Sequence, residues 1–279
     1  MKAGRVSRTA VKVAYHVLSL AQERIWQARL PEGIAETTER LLLAAGPSAP
    51  PPRRVELAKR PWVGEMYAYL ERFSPGAYTG VGWRKIFMND AVVRALFDGA
   101  RQVLVVGAGF DTLCLRLAPQ HREVLFVEID HPATSDAKRR GVDELGAPGN
   151  LELLAADLSE VFLSKVMSSC SRWEPQARSV VVVEGVFLYL TEQQVAGVFD
   201  EISRCTGPRT RVAFSHLLDL QKTGALSRWG LRLIGEPWLS SKTREELPDW
   251  LSGLGWTVID QDAPRSDRDL EGFAVAEKT

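Results

Sequence analysis

The feature that most constrains the fold is a change of hydrophobic period at residue 102. Beyond it, short runs rich in β-branched residues alternate with segments that repeat at helical spacing. That alternation is the mark of a parallel sheet covered by helices on both faces. The predicted strands are QVLVVG (102–107), EVLFVEID (123–130), LELLAAD (151–157), SVVVVEG (179–185), TRVAFSH (210–216), WTVID (256–260) and GFAVAEK (272–278). Helices are expected at 111–118, 132–145, 159–169, 191–204 and 243–254. A chain of 279 residues can bury a large core as one α/β domain with an elaborated end.

The first hundred residues read differently, as helices without strands. Val11, Ala14, Val17, Leu18 and Ala21 recur at helical spacing, and TTERLLLAA offers Thr37 or Thr38 as an N-cap. GPSAPPPRR (46–54) is expected to be a loop, followed by helices around 55–72 and 86–98. The expected organisation is a helical cap over 1–100 and a sheet domain over 101–279.

Composition narrows the partners. Lys plus Arg and Asp plus Glu number 35 each, so no global field draws in nucleic acid or an anionic membrane, and a small molecule is the expected partner. Cys114, Cys170 and Cys205 are widely spaced with no C-x-x-C pair, which argues against a zinc site or a disulfide framework. No metal site is expected. The basic, then apolar N-terminus is interrupted by His16, Glu23 and Arg24, and it lacks an A-x-A-like site. The longest apolar stretch, SVVVVEGVFLYL, is far short of the ~20 residues of a membrane span and contains Glu184. A soluble cytoplasmic protein is expected; the sequence is silent on oligomeric state.

Ligands of open parallel sheets bind beyond the carboxyl ends of the strands. Those ends carry Gly107, Gly109 and Asp111 after the first strand, Asp130 after the second, Asp157 after the third and Glu184 after the fourth. Gly107 and Gly109 allow a tight turn and a close backbone approach, but Thr112 replaces the third glycine of a dinucleotide fingerprint. A pyrophosphate on that helix N-terminus would also meet the Asp111 carboxylate, at a cost on the order of 1–4 kcal/mol at ~4 Å. S-adenosylmethionine removes the conflict, because it has no phosphate and presents an ammonium near a sulfonium. Asp111 then either attracts the ligand or caps the helix. Asp130 lies 23 positions beyond Gly107, near the ~20 expected of an acid that bonds ribose hydroxyls, with Glu128 as its competitor. Asp157, followed by Leu158, is placed for adenine. Glu184 interrupts the most apolar strand and must face a polar ligand or a partner.

The seven strands, two of them closing the C-terminus, fit a Rossmann-like class I methyltransferase sheet with an N-terminal helical cap. On the stretches SRTAVKVA, WRKIFMND, VLVVGAGFDTLCLRL, FVEIDHPATSDAKR, LAADL, VVVEGVFLYLTEQQV and GEPW, the chain resembles the leucine carboxyl methyltransferase family. The likeness extends to its bacterial O-methyltransferase branch, which is linked to polyketide and other secondary metabolism. The resemblance implies S-adenosylmethionine as cofactor and S-adenosylhomocysteine as product. It further implies that Arg84 grips the cofactor carboxylate, Gly107 lies against its methionine part, Asp130 binds ribose, Asp157 and Leu158 bind adenine, and Glu184 binds the amino group. WRKIFMND departs from the family's Arg-Thr opening by having Lys85.

A carboxylate acceptor is already ionised at neutral pH and needs no general base, whereas a phenol or alcohol does. His216 and Tyr189 are the candidate base or orienting groups. Trp229 and Trp238 are candidates for one wall of a substrate pocket. The alternatives are a protein C-terminal carboxyl methyltransferase, an NAD(P)-dependent oxidoreductase, and a cofactor-binding protein without catalysis.

Overall fold

The computed structural model describes residues 6–46, 49–73, 75–220, 238–265 and 269–279. Its strands are β1 (Gln102–Val106), β2 (Leu125–Asp130), β3 (Leu151–Ala155), β4 (Ser179–Val183), β5 (Arg211–Leu217), β6 (Trp256–Gln261) and β7 (Glu271–Lys278). They form one sheet in the order β3-β2-β1-β4-β5-β7-β6. The first five run parallel, and β7 is antiparallel to both β5 and β6. A dinucleotide-binding sheet, in contrast, has the order 3-2-1-4-5-6.

The side-chain period of two divides each central strand between two helical layers. On one face, Val103, Val105, Phe126, Val180, Val182, Ala213, Phe273 and Val275 pack under α6 (Thr79–Phe97) and α7 (Leu113–Leu117). On the other, Leu104, Val127, Ile129, Val181, Val212 and Phe214 pack under α9 (Leu163–Ser168), α10 (Glu192–Cys205) and α11 (Glu246–Ser252). The N-terminus of α10 is closed by a capping box between Thr191 and Gln194, which satisfies two otherwise orphaned groups.

The N-terminal helices are α1 (Arg8–Leu20), α2 (Arg24–Gln27), α3 (Ile34–Ala44), α4 (Pro52–Ala58) and α5 (Pro61–Leu70). Ser7 caps α1 by accepting from the Ala10 N–H. In α3 the chain turns at Gly33, in the left-handed region at φ 71°, so Thr37 and Thr38 are internal and neither is the cap. The proline loop ends earlier than expected, because Pro52 occupies the first turn of α4, where its missing N–H costs nothing. The helix expected over 55–72 is two helices, since Pro61 cannot continue α4 and instead starts α5. The helix expected over 86–98 begins at Thr79. Helix α6 is shared between layers, packing on β4, β5 and β7 and also against α1.

Helix α8 (Pro132–Glu144) flanks β2 and β3 and packs against α3, where Leu41, Leu42 and Ala45 meet Ala137 and Val142. At their contact, a Cβ on Gly141 would lie 2.8 Å from the Leu41 carbonyl oxygen. Backbone cannot yield as a side chain tip can. Gly141→Ala is therefore expected to lower stability by about 1–2 kcal/mol despite alanine's ~1 kcal/mol better helix propensity. Gly197→Ala in α10, where a Cβ meets nothing within 4 Å, is expected to be neutral or stabilising by up to about 1 kcal/mol. Urea unfolding midpoints of the two variants measure the contrast.

Candidate active site

The parallel register brings the strand ends level. Val106 pairs with Ile129 and Val183, and Asp130 pairs with Ala155, so the segments after β1 to β4 emerge along one edge. That edge borders a cavity of about 1280 Å³, which α1 and α6 wall from the other side. Gly107, Gly109, Asp111, Asp130, Asp157, Leu158, Glu184, Tyr189 and Arg84 all line it.

Gly107, at φ 72°, turns the chain out of β1, and a Cβ there would come within 2.7 Å of Val186 Cγ2. Its N–H and that of Ala108 donate to the Ile129 carbonyl. The Gly109 N–H donates to Asp130 Oδ2 at 2.6 Å, and the His131 N–H donates to Asp130 Oδ1 at 2.7 Å. Burial pushes the Asp130 carboxyl up, although both N–H donors favour its ionised form. Each oxygen keeps a lone pair for a further donor.

Glu128, the competitor for Asp130, stands one pleat behind it on the same face and is 2% exposed. It forms an ion pair with Lys138 of α8 at 2.5 Å and does not reach the cavity wall. Asp157 accepts from the Ser159 N–H at 3.0 Å and the Ser159 hydroxyl at 2.6 Å, bonds that hold its carboxyl below the usual range. His131 Nδ1 accepts from Ala133 N–H, which leaves the Nε2 side turned to Asp157 Oδ2 at 3.6 Å.

The densest electrostatics lie between α6 and the sheet. Arg84 donates through Nε to Glu184 at 3.0 Å and through a terminal nitrogen to Glu271 at 2.9 Å. Lys85 Nζ is paired with Glu184 at 2.6 Å and with Asp111. Positions 81, 84, 85, 88, 91, 92 and 95 form the buried stripe of α6, so both cations sit where the helix meets the sheet. Strand parity explains their partners: Glu184 continues the Val180–Val182 face, and Glu271 the Phe273–Val275 face, both turned to α6. Burial pushes the Lys85 ammonium down, but Asp111 and Glu184 more than offset this. Burial likewise pushes the Asp111 carboxyl up, while Lys85, Lys138 and the Leu113 N–H bring it down to about 2. Asp111 also accepts from the Leu113 N–H at 2.6 Å, so it is at once a helix cap and an ion-pair partner.

His216 is the one proposed site residue that does not line the cavity. It shares the β5 face of Val212 and Phe214, and its neighbour Leu217 lines the cavity instead. Its ring packs beside Phe214 and against Gly272, where a Cβ would lie 2.9 Å from Nε2. Trp238 lines the cavity, whereas Trp229 lies outside the described residues. Sequence reasoning missed Lys85 as a partner of Asp111, and it missed Glu271, His131 and His16. For Lys85 and Glu271 the signal was there, in the helical stripe and the strand parity.

All three cysteines are buried, and burial pushes the Cys205 thiol up to about 12. Among the described residues, no group of three or more His, Cys, Asp or Glu is arranged to hold a metal ion. Nor is any helix there long and apolar enough to cross a membrane.

Sheet order and a strand-end cavity together define the class I methyltransferase fold. The same fold is found in an O-methyltransferase family protein from Burkholderia thailandensis, with a TM-score of 0.51 at 14% identity, covering 88% of this chain and 72% of that one. The leucine carboxyl methyltransferase family model matches residues 8–203, and the chain belongs to that family. A protein of Mycobacterium leprae, provisionally named an S-adenosyl-L-methionine-dependent methyltransferase, is 31% identical over 182 residues, 62% of this chain and 59% of its own. A similarly named protein of Mycobacterium tuberculosis is 32% identical over 195 residues, 66% of this chain and 62% of its own. The chain thus spans about three fifths of the length of these relatives.

The buried pairs make stability depend on pH in a set direction. Because the folded-state pKa of Asp111 is depressed, its contribution is complete above the ordinary carboxylate range and is lost as pH falls towards 2. Asp111→Asn is expected to flatten the fall in stability between about pH 4 and pH 2 relative to the parent protein. Urea unfolding across that range measures it, and equal slopes would contradict the assignment.

Proposed function

We propose that the chain is an S-adenosylmethionine-dependent O-methyltransferase that modifies a carboxylate or hydroxyl of a small secondary-metabolite acceptor. The observation that carries this reading is the charge of the cavity wall. Four cations, Arg8, Lys12, Arg84 and Lys85, stand against six carboxylates on the cavity lining, Asp111, Asp130, Asp157, Glu184, Glu201 and Glu271, and the two buried cations are paired with Asp111, Glu184 and Glu271. Such a wall repels a pyrophosphate and attracts a ligand with net positive charge. S-adenosylmethionine, with an ammonium, a sulfonium and one carboxylate, matches it.

When bound, S-adenosylmethionine supplies a methyl group activated by its sulfonium and leaves as S-adenosylhomocysteine. In this reading Glu184 takes the amino group and Arg84 the carboxylate, each giving up part of its present pairing. Asp130 accepts from ribose hydroxyls with its remaining lone pairs. Asp157 accepts from the adenine amino group beside Leu158. The bend at Gly107 keeps the backbone close to the ligand with no Cβ between. Tyr189, on the 3-10 turn Phe187–Tyr189, is the remaining cavity-lining candidate for orienting the acceptor. The helices before the sheet serve as the cap, with α6 carrying Arg84 and Lys85 beneath it. Three buried, unpaired thiols suit a reducing, cytoplasmic setting.

Isothermal calorimetry tests the reading. The protein is expected to bind S-adenosylmethionine and S-adenosylhomocysteine, and Asp130→Asn to weaken both by about tenfold or more, in line with the ~1.5–3 kcal/mol of a hydrogen bond to a charged group. Absence of binding by both ligands, or binding of NADH in their place, would overturn it.

A further inference from the structure

Helix α5 carries apolar residues on two sides. Val63 and Gly64 turn inwards, where a Cβ on Gly64 would meet Ser19, Tyr78 and Glu23, and Tyr67 packs edge-on against His16 of the cavity lining. Trp62, Met66, Tyr69, Leu70 and Phe73 are each between 40% and 70% exposed. They lie four, seven, eight and eleven positions beyond Trp62, which sets them on one outward stripe. The turn after α5 prolongs the stripe, because the N–H groups of Glu71, Arg72 and Phe73 donate to the Tyr67, Tyr69 and Leu70 carbonyls. Single exposed apolar residues are ordinary, but these five present roughly 500 Å² together, the size at which a patch marks a binding surface.

The charges around the stripe say what covers it. The whole chain is neutral, yet residues 53–73 hold five cations against three carboxylates. Glu56 is paired with Lys59, and Glu71 accepts from the Tyr78 and Thr79 N–H groups. That leaves Glu65 against Arg53, Arg54, Arg60 and Arg72, all exposed and, among the described residues, paired with no carboxylate. Arg8 and Lys12 carry positive charge along α1 to the cavity lining, and beyond Phe73 the chain itself joins that lining at Pro75, Gly76 and Ala77. A second copy seated here by two-fold symmetry would set the same arginines against themselves. Aromatic and aliphatic side chains set among arginines suit instead the headgroup region of a bilayer, where apolar bodies sink to the acyl boundary and guanidinium groups meet phosphate.

We propose that the outer face of α4 and α5 docks the protein on an anionic phospholipid surface. Trp62, Met66, Tyr69, Leu70 and Phe73 enter the headgroup layer, and Arg53, Arg54, Arg60 and Arg72 pair with lipid phosphates. Helix α5 lies in the plane of the surface and does not cross it. Docking in this way brings the Pro75–Ala77 edge of the cavity to the lipid. It does not depend on what the cavity holds.

Flotation of the full chain with unilamellar vesicles tests the proposal. At about 0.1 M salt, vesicles of equal parts phosphatidylcholine and phosphatidylglycerol are expected to bind at least ten times more protein than vesicles of phosphatidylcholine alone. Trp62→Ser combined with Phe73→Ser is expected to lower binding to the mixed vesicles at least tenfold. Arg60→Gln combined with Arg72→Gln is expected to lower it at least threefold, and serves if the first pair does not fold. Phe97→Ser, which removes a 92% exposed aromatic at the far end of α6, is expected to leave binding unchanged. No binding to either vesicle, equal binding to both, or an equal loss with Phe97→Ser would overturn the proposal. Two further results would reassign the face: poly-glutamate bound as tightly as the mixed vesicles would give it to an acidic protein. A dimer that ignores vesicles and is dispersed by Trp62→Ser with Phe73→Ser would give it to a second copy.

Discussion

A chain of alternating buried charges, Asp111–Lys85–Glu184–Arg84–Glu271, joins α6 to the turn after β1, the end of β4 and the start of β7. Taking such groups out of water costs several kcal/mol per ion, which mutual attraction offsets only in good geometry. Their persistence within one short span therefore constrains everything that meets there. Helix α6 cannot slide or rotate on the sheet without stranding a charge. The chain of charges holds one carboxylate in excess, so the same contacts that dock α6 leave this part of the cavity wall net negative.

The sheet makes this arrangement possible through its period and its register. Parallel pairing of β1 with β2 and β4 ends the strands together, and alternation decides which acids face α6. Glu128 and Asp130 show how finely position matters. Both lie on one face, yet Glu128 is covered by α8 and neutralised by Lys138, while Asp130, two residues on, reaches the edge and binds the glycine turn. Depth along the strand separates a buried ion pair from an acid on the cavity wall.

Much of the fold was legible because its signals are local. All seven strands follow from short apolar runs, β-branched in every case but LELLA, and the strand-end residues from Gly107 to Glu184 follow once a parallel sheet is assumed. Failures came where a competing local rule was overlooked: Pro61 starting α5, Gly33 supplying the left-handed turn before α3. Lys85 looked like a family departure at an unremarkable position, and its meaning depends on Asp111, 26 residues away. Glu271 is 187 residues from Arg84. His216 was placed by its position just beyond a strand, but its ring is buried beside Phe214 and against Gly272, off the cavity wall.

By itself the sequence determined the class of fold, the order of strands and helices, and the acids offered at the strand ends, since propensity, turn chemistry and hydrophobic period act over a few residues. Only the tertiary structure decided which charges neutralise one another, that His16 of the first helix is buried beside the site, and that β7 inserts between β5 and β6 to bring Glu271 to Arg84. Those outcomes depend on distance in space and on desolvation, and neither is encoded in the spacing of residues along the chain.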